Sequence, residues 1–271
     1  MPVIKLTSKQ NVLNNITFTK PYLNKKNSRI TCYMLYDGEP FSIRLPTMLK
    51  APFGACQIGA KGEGSGTYSL NVCAYPFNKN KKDVTDEFFT ALETLDEMLV
   101  KLVLENSELI FGKGKKYKVG EHEPIVQALQ TLTVKTGENK DGVPYPKRLQ
   151  AKIRGMYEIP DRPNVQVYVN SSKEDINNES FNFENLLELI PQGTFVDMIC
   201  KPNIWFINGR FGITWNVRQI KVNESKKESP KSYAFSDDDN DNNSDDDENS
   251  DDDENSDDDE NSDDEEVNVS S

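Results

Sequence analysis

The sequence predicts a mainly β body, a small Greek-key barrel with one long inserted helix, followed by a disordered acidic tail. Three observations carry that expectation. Short runs of alternating apolar and polar residues recur between Gly, Pro, Asn and Asp turns, the mark of strands. One stretch, 85–105, keeps a sustained helical apolar period. Charge is segregated: 236–271 holds 20 of the chain's 45 Asp and Glu and none of its 32 Lys and Arg, leaving 25 acids against 32 bases before it. The net charge of −13 therefore hides a body of +7 and a tail of −20. A cationic body points to an anionic partner, and the tail to something that can mimic or oppose that partner.

Taken in order, residues 1–28 are polar and weakly periodic, and predict one edge strand plus loop. Arg29–Tyr36 reads as a strand, Asp37-Gly38 as a hairpin turn, and Glu39–Leu45 as the return strand closed by Pro46. The glycine-rich stretch 54–66 lacks the Lys-Ser or Lys-Thr that a phosphate-cradling loop needs, so it predicts a flexible loop into the strand Thr67–Tyr75. In the helix 85–105, Phe88, Leu92, Leu95, Leu99 and Leu102 form an apolar stripe, with Asp83 or Thr85 placed to cap it. A basic loop, 112–118, follows. The apolar run 124–136 fits neither period clearly. Lys147–Tyr157 alternates basic and apolar residues, Val165–Val169 reads as a strand, and Phe183–Ile190 as a short helix stopped by Pro191. Gly193–Cys200 and Asn203–Ile207 read as two further strands. Asn208-Gly209 is a strong hairpin signal, and Phe211–Val222 returns.

This gives a body at 1–222, large enough for one hydrophobic core, a Ser- and Lys-rich linker at 223–235, and the tail at 236–271. The tail repeats SDDDEN three times from Ser244 and offers almost no apolar surface to offset the entropy of ordering, so disorder is expected.

Enzyme chemistry finds little purchase. His122 is the only histidine, and Cys32, Cys56, Cys73 and Cys200 form no CxxC pair, which disfavours a His-based triad or a zinc site and suits reduced thiols. The acidic repeats lack the glycine and spacing of a calcium loop. No catalytic residue, cofactor or metal site is expected. With no leader-like run after Met1 and no apolar segment near the ~20 residues of a membrane span, a soluble intracellular protein without membrane contact is expected.

Single-stranded nucleic acid is held by basic grooves that follow phosphates and by rings on which bases stack. The candidate cations are Arg44, the loop lysines Lys113, Lys115 and Lys116, the run Lys147, Arg148, Lys152 and Arg154, and Arg210. The candidate rings are Tyr33, Trp205, Phe211 and Trp215; alternation turns only one side of each closing strand outward, so both indoles stay ambiguous. The 36-residue tail reaches about 120 Å when extended, and a tether of that kind presents its charge to the body at roughly millimolar concentration. It would screen the groove against weak ligands, yield to long strands, and once displaced attract basic proteins.

The closing segment NIWFINGRFGITWNVRQIKV (Asn203–Val222), with a strand-rich body, one long helix and an acidic tail, resembles the single-stranded DNA-binding proteins shared by short-tailed phages and large DNA viruses of eukaryotes. The resemblance implies an OB-like Greek-key barrel and sequence-independent binding of single-stranded DNA in viral DNA replication, recombination or repair. It further implies tail contacts with DNA polymerase or other replication proteins, at a replication site in host cytoplasm or nucleus. Trp205, Arg210, Phe211 and Trp215 fall in the matching segment. Phage members tend to end in an aromatic residue, whereas this sequence ends Val267-Asn268-Val269-Ser270-Ser271, which favours charge competition over a partner gripping a terminal ring. The rival reading is an acidic-tailed chaperone of basic proteins such as histones, against which the +7 body weighs. Oligomeric state stays open, a homodimer included. Ser236, Ser244, Ser250, Ser256 and Ser262 each precede acids and are expected phosphorylation sites that would add to the tail's charge.

Overall fold

The structure is a computed structural model that describes residues 1–7, 10–57, 67–74, 79–170 and 172–223. The linker and tail predicted at 223–235 and 236–271 lie outside these residues except for Asn223, as does most of the glycine-rich loop. The described chain is mainly β with one long helix. In chain order it runs β1 (Val3–Lys5), α1 (Gln10–Asn14), β2 (Ile16–Phe18), β3 (Tyr22–Asn24), β4 (Arg29–Thr31), β5 (Met34–Tyr36), β6 (Ser42–Arg44), β7 (Leu49–Lys50), β8 (Ala55–Gln57) and β9 (Thr67–Cys73). Then come α2 (Lys79–Glu105), α3 (Ser107–Phe111), α4 (Glu123–Leu129), β10 (Gln130–Thr131), β11 (Val134–Lys135), β12 (Arg148–Arg154), β13 (Gln166–Val169), α5 (Phe183–Leu189), β14 (Phe195–Ile207) and β15 (Arg210–Asn223).

Five of these strands pair in a closed circuit. β7 pairs antiparallel with β9, β9 with β12, and β14 with both β7 and β15; β12 pairs parallel with β15 and completes the loop. The inward residues are those of the apolar alternation: Leu70 and Val72, Leu149, Ala151 and Ile153, Val196, Met198 and Cys200, then Phe211, Ile213, Trp215 and Val217. β6 and β1 extend the sheet beyond β14, while β13 and β10 pair with β15.

α2 lays Phe88, Phe89, Leu92, Leu95, Leu99 and Val103 into the same core, as its stripe predicts. It begins at Lys79, so Asp83 and Thr85 lie inside the helix and do not cap it. The extra turn has no apolar stripe; its lysines are good helix formers, and propensity extends what burial began. Asp96 is buried on α2 and accepts from the amide and hydroxyl of Thr133 at 2.7 and 2.8 Å, which ties the segment leading into β11 to the helix. Burial pushes this carboxyl up to about 6 against the pull of those two bonds. α5 is closed by a capping box in which Asn182 and Asn185 exchange bonds of 3.0 Å, and its buried Phe183 stacks on Tyr68 with centroids 3.8 Å apart.

Four strand expectations need correction. The first 28 residues hold β1, β2, β3 and a short helix rather than one edge strand. Asp37-Gly38 does turn, with φ of 49° and 81°, but the hairpin stops at the Tyr36–Glu39 bridge. Pro40 has no N–H to continue a ladder, and Phe41, Ile43 and Leu45 are drawn into the core instead, where β6 pairs with β14 and β1. The predicted strand 29–36 is split as well: β4 pairs with β3 and β5 with β2. Finally, 193–200 and 203–207 are one strand, β14, which passes through Pro202.

Candidate nucleic-acid interface

β12 alternates cleanly. Leu149, Ala151 and Ile153 are buried, so Arg148, Gln150, Lys152 and Arg154 share the outward face. Lys152 lies opposite Ser69 of β9 on one side and level with Asn216 of β15 on the other, and Asn216 lies opposite Lys201 of β14. A cross-strand row therefore places two ammonium groups on strands about 10 Å apart with a polar amide between them. The Asn216 Oδ1 is buried and without a hydrogen-bond partner. Lys201, Arg154 and Arg218 converge with Asn216 on a hollow of about 220 Å³.

The outward positions of β12, of β14 from Lys201 to Trp205, and of β15 from Arg210 to Arg218 carry no Asp or Glu. None of Arg148, Lys152, Arg154, Lys201, Arg210 and Arg218 makes an ion pair with a described carboxylate. The face is thus cationic with uncharged polar filling from Asn71, Gln150, Asn203 and Thr214.

Two rings border it. Phe53, 54 % exposed just after β7, sits 5.6 Å from the Arg148 guanidinium, which lies over its ring. Trp205 is half-buried near the Asn208-Gly209 turn, where a Cβ on Gly212 would stand 3.1 Å from the indole and 2.8 Å from the Thr131 carbonyl. Glycine at 212 thus lets Trp205 and β10 both close on β15.

The other expected residues fall elsewhere. Phe211 and Trp215 are 0 % and 1 % exposed, so the expectation that they bind nucleic acid is corrected: both point into the core and offer a base no face. Tyr33 is 54 % exposed beside the β3–β4 hairpin, where it hydrogen-bonds Tyr22 and raises that phenol above its ordinary value. Arg44 lies on β6 opposite Ile199, beside Lys173 and Lys221, away from the β12 stripe. Lys147 is held by Glu93 of α2 at 2.7 and 2.9 Å, which neutralises it. Lys113, Lys115 and Lys116 are exposed at the far end of α2, about 18 Å of helix beyond Glu93, and Lys116 pairs with Glu108 at 3.9 Å. The structure does not bring that loop together with the strand face.

Sequence reasoning missed Lys201, Arg218 and Phe53. Lys201 falls between the two strands expected at 193–200 and 203–207, which are one strand. Arg218 follows from alternation once Trp215 is set inward. Phe53 is signalled only as a ring between Pro52 and Gly54, in a turn where no core period claims it.

Among the described residues no helix is long and apolar enough to cross a membrane, and no cluster of His, Cys, Asp and Glu could hold a metal ion. No protein-family model matches the chain, and no curated protein sequence does. Among solved structures, it is similar to the single-stranded DNA-binding protein from bacteriophage Enc34 in complex with ssDNA, with TM-score 0.37 and 13% identity over 77% of this chain and 92% of that one. It is also similar to gp2.5, a single-stranded DNA-binding protein encoded by bacteriophage T7, with TM-score 0.40 and 10% identity over 70% of this chain and 96% of that one. At this level of similarity the chemistry has to be read from the chain's own residues.

Proposed function

We propose that this chain binds single-stranded DNA, without regard to sequence, on the outward face of β9, β12, β14 and β15. The observation that carries the reading is six cations and no carboxylate on β12, on β14 from Lys201 to Trp205 and on β15 from Arg210 to Arg218, with two bordering rings. Phosphates would follow the cations, and bases would stack on Phe53 and Trp205, each stack worth about 1–3 kcal/mol and indifferent to base identity. Numbered along the chain, the five-strand circuit runs 1-2-3-5-4-1 with the 3–5 pair parallel, which supports an OB-type Greek-key barrel. That fold takes nucleic acid on the face of strands 2 and 3 and on the loops joining strands 1–2 and 4–5. Here these are β9 and β12, the stretch after β7 that carries Phe53, and the turn between Trp205 and Arg210.

The −20 tail is the natural competitor for this face and, when displaced, a lure for DNA polymerase or other basic replication proteins. Viral DNA replication, recombination or repair is the setting the reading implies. A chaperone acting through its tail alone would have no use for a cationic face cleared of acids.

The test is a fluorescence titration of the full chain with oligo-dT, beside a chain ending at residue 235. Tight binding at low salt that weakens steeply with salt, little affinity for duplex, and tighter binding without the tail are expected. No binding of oligo-dT by either protein at low salt would refute the reading.

A further inference from the structure

β14 and β15 pair with a break in register: Ile199 lies opposite Gln219 and Cys200 opposite Val217, so Arg218 is an extra residue. A bulge of this kind bends the strand and re-aims a side chain. Arg218 borders two hollows at once. The first is the cationic one shared with Arg154 and Lys201. The second, about 420 Å³, is floored by Ser42 and Ile199 and walled by Val3, Met156 and Gln166; Asn164 borders both hollows.

The second hollow is chemically different from the first. Much of its lining surface is apolar, none of its lining residues is aromatic, and it sets one carboxylate, Asp175, whose Oδ1 accepts the amides of Val167 and Asn177 at 2.9 and 3.0 Å, against two guanidiniums, Arg162 and the shared Arg218. Ser42 is 1 % exposed, and its Oγ has no hydrogen-bond partner. A buried hydroxyl left unpaired is costly, so a ligand group that reached it would bind with advantage. The walls are preformed. Arg162 is fixed by Asn177 through Nε to Oδ1 at 3.1 Å and Nη2 to the carbonyl at 2.8 Å. A Cβ on Gly155 would run into the Pro160 carbonyl, so that loop closes tightly only with glycine. The volume lies in the range of small-molecule pockets.

We propose that the larger hollow takes a single unstacked nucleobase, while the Arg154–Lys201–Arg218 hollow beside it holds the adjoining phosphate. In the larger hollow Asp175 offsets one of the two guanidiniums, and the apolar lining with the amide edges of Asn164, Gln166 and Asn177 suits a flat heterocycle with polar edges; the smaller hollow, with three cations and no carboxylate among its lining residues, suits phosphate. This inference rests on the proposed single-stranded DNA binding and adds to it a site that does not depend on stacking.

The test uses the full chain and three probes: oligo-dT, an abasic strand with the same phosphates and no bases, and a run of dA carrying one 2-aminopurine. On aromatic rings 2-aminopurine is quenched, whereas in this ring-free hollow it brightens. Val3 is an exposed residue on the wall, so Val3→Trp fills the hollow without entering the core. The expected result is a fluorescence rise with the unaltered chain that Val3→Trp abolishes. Val3→Trp should also weaken oligo-dT binding about five- to tenfold while leaving the abasic strand unaffected. Gln166→Leu, on the opposite wall, should blunt the rise and serves if Val3→Trp fails to fold. The pocket is overturned if Val3→Trp binds both strands as the unaltered chain does, if it weakens both equally, or if 2-aminopurine is quenched throughout. In each of those cases binding to oligo-dT survives, whereas loss of binding by the unaltered chain would instead overturn the reading beneath.

Discussion

The cationic face makes a quantitative demand on salt dependence. Changing Lys152, Arg154 and Lys201 together to Ala removes three cations that lie on neighbouring strands and have no described carboxylate partner. Each phosphate neutralised on a single strand contributes about 0.7 to the slope of log K against log salt. Three lost contacts should therefore flatten that slope by about 2, which between 50 and 200 mM salt is roughly a twentyfold difference in sensitivity. Lys147→Ala is the internal control. Its ammonium group is held by Glu93 at 2.7 and 2.9 Å, so its removal should change the slope by well under one unit. Anisotropy of labelled oligo-dT across a salt series measures both. A triple variant whose line runs parallel to that of the unaltered chain would show that strands do not follow this face, whatever its charge.

Four further outcomes follow from the geometry. Trp205→Phe should remove nearly all DNA-dependent quenching and Trp215→Phe almost none, because only the first indole reaches the surface; the reverse pattern would contradict the burial of Trp215. Asp96, raised to about 6 by burial, favours folding fully below its unfolded value near 4 and loses that contribution as pH climbs through 6. Asp96→Asn, whose amide can still bond Thr133, should abolish that fall of about 3 kcal/mol in denaturant titrations between pH 4 and 7. Gly155→Ala should cost about 1–3 kcal/mol in thermal unfolding through its clash with Pro160. The thiols of Cys32, Cys73 and Cys200 are buried and pushed up, the first to about 11, so a thiol reagent should label them only as the native fold opens.

Much of the architecture is legible in the amino-acid order because period and turn chemistry act locally. The Asn208-Gly209 hairpin, the α2 stripe, the β12 alternation and the α5 helix each follow from a few neighbouring residues. What escapes is pairing at a distance. Nothing near Asp37-Gly38 says that Ile43 will sit opposite Cys200 rather than complete its own hairpin. The same limit governs the site. Arg148, Lys152 and Arg154 declare themselves by alternation within one strand, but Lys201 and Arg218 join them only through the register of β12, β15 and β14. The inward turn of Phe211 and Trp215 follows the apolar phase of Phe211, Ile213, Trp215 and Val217, but which phase of β15 faces the core is set by its pairing with β12 and β14. The acidic partners of Lys116 and Lys147, Glu108 on α3 and Glu93 on α2, come from other elements and carry no mark in the lysines' own surroundings.

The strand circuit also constrains how the molecule is made. β7 emerges from the ribosome early, yet its neighbour β14 begins at Phe195, and the parallel partner of β12 begins only at Arg210. Until those residues are synthesised, β7, β9 and β12 are an open sheet with bare edges and half a core. Contacts between segments so far apart in sequence form slowly, and an unclosed sheet of this kind is prone to pairing with other chains. Nascent chains should therefore depend on prompt completion or on a chaperone, and premature truncation anywhere before β15 should yield aggregates rather than a smaller folded domain.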